Sequence, residues 1–114
     1  MAYEAKDFSS LIGMKGFSET LLKNHFKLYE GYVTNTNKLL DILNTMLKEG
    51  KTATPEFAEL TRSFGWEFNG LRLHEYYFGN MANGGKALDK NILSKKIIED
   101  FGSYENWEKD FKGT

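Results

Sequence analysis

Apolar residues recur at helical spacing from Ser18 onward: Leu21, Leu22, Phe26, Tyr29, Val33, then Leu39, Leu40, Leu43 and Leu47. This period predicts one long helix over about 18–48. Ser18 is placed to cap it, and Glu19 suits the positive end of its dipole. A bend is expected near Gly31 or in Thr34-Asn35-Thr36-Asn37, where helix propensity is weak. Gly50 is suited to close the helix in the left-handed conformation. Before Ser18 the pattern is mixed, and Gly13 and Gly16 interrupt any period, so an irregular lead-in is expected.

Thr54-Pro55-Glu56 reads as a second helix start, with Thr54 as cap and Pro55 at the first helical position. This helix carries Phe57, Leu60, Phe64, Phe68, Leu71, Tyr76, Tyr77 and Phe78 and runs to about Phe78. Two long helices joined by a short polar turn pack as an antiparallel hairpin. The segment 79–86 is rich in glycine and asparagine and predicts a loop. Asp89 is a candidate cap for a third helix over about 90–100, with Ile92, Leu93, Ile97 and Ile98 as its apolar side. Gly102 ends that helix, and Ser103 caps a short fourth one with Glu105 in its first turn. The pattern predicts no strand. The chain as given is therefore expected to be all-α, with a long antiparallel helical hairpin domain at 1–84 and a linker with short helices at 85–114.

Composition narrows the function classes. Acidic and basic residues nearly balance, for a net charge of -1. That balance speaks against nucleic acid or an anionic membrane as partner. With no cysteine, disulfides, thiolate metal sites and cysteine nucleophiles are excluded. The opening residues form no apolar core of a signal peptide, and no apolar run approaches the roughly 20 residues of a membrane helix. A soluble cytoplasmic protein is expected.

The candidate chemistry rests on two histidines, His25 and His74, one on each long helix. In a hairpin turning near residue 51, His25 stands opposite roughly residue 77, one turn from His74. Imidazoles from facing helices commonly hold a transition metal. A single helical histidine is more commonly a half-buried hydrogen-bonding residue, and two ligands do not close a site. The start of a zincin helix at His74-Glu75 fails, because Phe78 stands where the second histidine is required. No Glu-x-x-His pair supports a di-iron bundle. Asn83-Gly84-Gly85-Lys86 lacks the spacing of a phosphate cradle, and the aromatics Phe64, Phe68, Tyr76 and Tyr77 read most simply as core.

Longer stretches carry a resemblance. Phe17-Ser18-Glu19-Thr20-Leu21-Leu22 and Tyr32-Val33-Thr34-Asn35-Thr36-Asn37-Lys38-Leu39 are similar to the first long helix of iron/manganese superoxide dismutases. Phe68-Asn69-Gly70 and Leu73-His74-Glu75-Tyr76-Tyr77-Phe78-Gly79-Asn80-Met81 resemble the second. The run from Ile97 to Trp107 resembles the family's passage into its α/β C-terminal domain. The similarity is in order and covers about residues 17–112.

The resemblance implies iron or manganese held by three histidines and one aspartate, superoxide as substrate, and a homo-oligomer. His74 matches the second ligand and Tyr32 the catalytic gateway tyrosine. Phe78 stands where many members have tryptophan. Gly70 matches members whose active-site glutamine comes from the C-terminal domain. The family's first ligand precedes the tyrosine by eight residues, a position held here by Asn24, whereas His25 precedes it by seven. Seven steps turn about 700°, close to two full turns, so His25 and Tyr32 share a helix face. His25 is therefore the expected ligand, in a helix one residue shorter. A family histidine between ligand and tyrosine is replaced near Leu28, which bears on the proton path and the dimer contact. The remaining ligands belong to the family's C-terminal domain, so this stretch alone is expected to hold metal weakly and to be inactive. The alternative is a non-catalytic helical binding or oligomerisation module derived from that fold.

Overall fold

A computed structural model describes residues 2–114. Its four helices are α1 (Glu19–Lys48), α2 (Pro55–Gly79), α3 (Ile92–Phe101) and α4 (Tyr104–Gly113), preceded by a 3-10 turn at Ser9–Leu11. Among the described residues there is no strand. None of the helices is long and apolar enough to cross a membrane. Two compact units are present, one ending at Gly84 and one comprising Gly85–Thr114.

In the first unit, local signals set both ends of the hairpin. The Ser18 hydroxyl accepts from the Leu21 N–H at 3.1 Å, starting α1. At its other end Gly50, with φ of 70°, donates to Leu47 O, and the Lys51 N–H donates to Met46 O. These paired bonds satisfy two of the carbonyls that a helix terminus otherwise leaves open. Thr54 accepts from the Phe57 N–H at 3.2 Å and starts α2, with Pro55 where a missing N–H is harmless.

The core lies between the two long helices. Leu22, Tyr29 and Val33 of α1 meet Leu71 and Phe78 of α2, and Leu11 closes the cluster. The lead-in is irregular yet firmly packed. The Tyr3 N–H donates to Asn37 Oδ1 at 2.8 Å, and Asn37 Nδ2 donates to the Tyr3 carbonyl at 2.9 Å. The Asn37 amide thus pairs with the Tyr3 backbone as a neighbouring strand would. Phe8 follows, with ring centroids 5.8 Å from Tyr29 and 5.0 Å from Phe78.

Of the aromatics read as core, Phe64 and Phe68 stack on one another and are half-buried. Tyr76 and Tyr77 are exposed instead. Within this unit α2 has one helical partner, and Tyr76 lies five residues after Leu71, about 140° round the helix from the buried stripe.

In the second unit α3 begins at Ile92, and its cap is Asn91 rather than Asp89. Asn91 Oδ1 accepts from the Ser94 N–H at 3.0 Å while Ser94 Oγ accepts from the Asn91 N–H at 2.9 Å. Both partners of a capping box are satisfied this way, and Asp89 pairs with Lys86 Nζ at 2.9 Å. Gly102 ends α3 with φ of 81°, and Ser103 caps α4. Ile92, Leu93 and Ile98, expected to form an apolar side, are exposed; only Ile97 is half-buried.

Candidate metal centre

His25 and His74 meet across the hairpin, with ring centroids 4.9 Å apart and planes at 85°. Both are half-buried. Tyr77 lies 5.3 Å from His25, so the antiparallel register is close to the one the turn position predicts. Asn24 is exposed and borders a different depression with Lys23, Lys27 and Glu30. The histidine one residue later thus faces α2, and the asparagine at the family's ligand spacing does not.

The two rings are held in different ways. Burial first, and then the His74 imidazole, hold His25 below the ordinary histidine value of 6.5. His74 Nδ1 lies 2.6 Å from the Gly70 carbonyl oxygen. A carbonyl only accepts, so Nδ1 carries a proton, and Nε2 is the nitrogen that this bond does not engage. Metal-bound histidines are commonly oriented by such a bond from the other ring nitrogen.

Tyr32 packs on the other side of His74 at 5.2 Å between centroids. Gly70 makes this possible. A Cβ on Gly70 would stand 2.7 Å from Tyr32 Cγ, well inside van der Waals contact. One glycine therefore supplies both the carbonyl that orients His74 and the space for the Tyr32 ring. A depression of about 280 Å³ opens onto Tyr32 and is lined also by Leu28, Gly31, Asn35, Trp66 and Glu67. Two of these lining residues are bonded to one another: Asn35 Nδ2 donates to Glu67 Oε2 at 3.3 Å.

Phe78 completes the floor, 4.8 Å from His25 and 6.0 Å from His74. Next to it is a polar group that the sequence reading did not assign to the site: Tyr29, Glu75, Lys6 and Arg72. The Tyr29 hydroxyl donates to Glu75 Oε1 at 3.2 Å, and Arg72 Nη1 donates to Glu75 Oε2 at 2.9 Å. Burial raises the Glu75 pKa, but hydrogen bonds from Lys6, Arg72 and Tyr29 outweigh it and hold the carboxyl below its ordinary value. A signal was present in the sequence: Glu75 is a charged residue within the apolar stripe Leu71, His74, Phe78.

Two imidazoles suit the nitrogen-donor part of an iron or manganese site. Among the described residues, no group of three or more His, Cys, Asp or Glu side chains is placed to hold a metal. The donor set therefore fits part of a coordination sphere.

An antiparallel helical hairpin carrying a facing imidazole pair and an adjacent tyrosine is the class that fold and site define. No protein-family model matches the sequence. The chain is 32% identical over 114 residues to the protein named superoxide dismutase [Fe] of Aquifex aeolicus (strain VF5), covering 96% of this chain and 54% of that one. It is 35% identical over 115 residues to superoxide dismutase [Fe] of Cupriavidus metallidurans, covering 97% and 56%. It is 29% identical over 94 residues to superoxide dismutase [Mn] 2 of Haloferax volcanii, covering 82% and 46%. The chain belongs to the iron/manganese superoxide dismutase family. It spans about half the length of the curated relatives it matches.

Proposed function

We propose that this chain supplies the helical, two-histidine half of an iron- or manganese-dependent superoxide dismutase. His25 and His74 are the ligands, and Tyr32 is the phenol beside the metal. The facing imidazoles, 4.9 Å apart between ring centroids, carry this reading. The bound metal supplies one-electron cycling, by which two superoxide ions and two protons become dioxygen and hydrogen peroxide. Around it, the Gly70 carbonyl holds the proton on His74 Nδ1, and Phe78 excludes water from beneath the rings. Tyr32, whose ring packs on His74, is the O–H donor for a small anion at the site. In this reading residues 85–114 begin a C-terminal domain whose remainder provides the other ligands, and the working enzyme is a homo-oligomer.

Leu21, Leu28, Leu73 and Tyr77 are exposed apolar residues on the two long helices, which favours a second reading as a non-catalytic binding module. The two are separated by loading the purified chain with iron and with manganese, alone and mixed with the part of the Aquifex aeolicus relative that it does not match. The dismutase reading expects weak metal retention by the chain, superoxide dismutation in the mixture, and loss of both in His25→Ala and in His74→Ala. Equal metal retention by the parent and both variants would leave the binding module as the better account.

A further inference from the structure

Tyr29 and Glu75 form a buried pair that ligation of a metal does not itself require. Tyr29 is 1% exposed and Glu75 8%. The Tyr29 hydroxyl is held from two sides: it donates to Glu75 Oε1 at 3.2 Å and accepts from the Lys6 N–H at 3.0 Å. Glu75 Oε2 in turn takes Arg72 Nη1 at 2.9 Å and Lys6 Nζ at 3.2 Å. A phenol tethered this way has little freedom to rotate. Its ring lies nearly parallel to the His74 imidazole, at 24° and 6.2 Å between centroids.

The placement of this pair is informative. Tyr29 follows His25 by one helical turn on α1, and Glu75 directly follows His74 on α2. A leucine at position 75 would continue the apolar stripe without desolvating a carboxylate. Replacing a buried ion pair by apolar residues is often neutral or stabilising, whereas buried polar contacts are best attested as devices that set register.

We propose that Tyr29 and Glu75 are positioning residues for the imidazole pair. Their hydrogen bond sets the rotation and axial register of α2 against α1 at the level of His25 and His74. The Tyr29 ring limits the swing of the His74 imidazole. This inference rests on the reading of both histidines as ligands.

The test uses the full chain and cobalt(II), which imidazole binds more tightly than manganese(II). Cobalt affinity is measured by its visible spectrum, and the His74 ring nitrogens are followed by NMR without metal. Tyr29→Phe keeps the ring and removes the hydroxyl; Glu75→Leu keeps the packing and removes the acceptor. Each is expected to weaken cobalt binding about tenfold or more, the range for groups that orient ligands. Each is also expected to shift the His74 nitrogens. Glu75→Gln, which keeps an acceptor for Tyr29, is expected to restore much of the affinity.

Met46→Ala serves as the stability control. It empties a buried site about 30 Å along α1 from His25, so it is expected to destabilise the fold and leave cobalt affinity unchanged. If Tyr29→Phe does not fold, Glu75→Leu carries the test. Parental affinity and unchanged His74 nitrogens in a folded variant would overturn the proposal. If the parent and His74→Ala bind cobalt equally, the ligand reading fails on its own. The nitrogen shifts then decide: a shift in either variant supports positioning of His74, and none overturns it.

Discussion

The unit ending at Gly84 and the unit Gly85–Thr114 are built from helices with equally good ends, yet only the first has a hydrophobic core. Ser18 and Thr54 cap the long helices, and Asn91 and Ser103 cap the short ones, each through a side-chain acceptor. In the first unit, Leu11, Leu22, Tyr29, Val33, Leu71 and Phe78 are buried together. In the second, Ser94 alone is buried, and Ile92, Leu93, Ile98, Phe101 and Phe111 are exposed. Capping decides where a helix begins, whereas burial supplies most of what keeps it folded. The first unit has two helices long enough, and an N-terminal segment apolar enough, to cover each other. The second presents apolar surface that its own two helices leave uncovered.

The largest expected effect breaks this contrast directly. Phe78 is 1% exposed and packs against Phe8, Phe26, Tyr29 and both histidines. Phe78→Ala is expected to destabilise the first unit by about 3–5 kcal/mol. Ile92 is 88% exposed, and Ile92→Ala is expected to change stability by less than about 0.5 kcal/mol. Denaturant titration of both variants checks the pair; equal losses would show that Ile92 is covered in solution.

Two glycines of α2 give the next largest difference. Gly65 has nothing within 4 Å of where a Cβ would be, whereas Gly70 faces the Tyr32 ring. Gly65→Ala is expected to stabilise by up to about 1 kcal/mol through helix propensity. Gly70→Ala is expected to destabilise by about 1–3 kcal/mol, because the Tyr32 ring is displaced. Thermal melts read the sign, and Tyr32 ring resonances report the displacement.

A cap variant sharpens the contrast from the other side. Asn91→Ala removes the capping box and is expected to weaken α3 by about 1 kcal/mol. Amide exchange should quicken in α3 and stay unchanged in α1 and α2. Slower exchange across both units alike would count against two separately packed units, as would faster exchange across both.

The smallest effect is the pH dependence of the first unit. The Glu75 carboxyl has a folded pKa below its ordinary 4.5. Its contribution to stability is therefore complete above about pH 4.5 and is lost as pH falls through the lower folded value. His25, held below 6.5, adds a loss that begins as pH falls from about 6.5 toward its own folded value. Acid titration of unfolding should show both limbs, with the lower one flattened in Glu75→Gln and the upper one absent in His25→Ala.

The sequence by itself determined the four helices to within a residue or two, because caps, glycine stops and apolar periodicity act over a few neighbouring positions. Asn91 in place of Asp89 is the exception: both residue types cap, and only the return bond from Ser94 selects one. The period of α1 also placed His25 and Tyr32 on one face, and the turn position brought His25 near His74. Tertiary structure alone decided the rest. Gly70 matched members whose glutamine comes from the C-terminal domain, but only the fold shows the Tyr32 ring where its side chain would be. Tyr29 and Glu75 lie 46 residues apart and become a pair only when α1 and α2 are in register. Tyr76 and Ile92 look like core by composition and are exposed, because burial depends on which surfaces other elements cover, and that is a property of the whole assembly of helices.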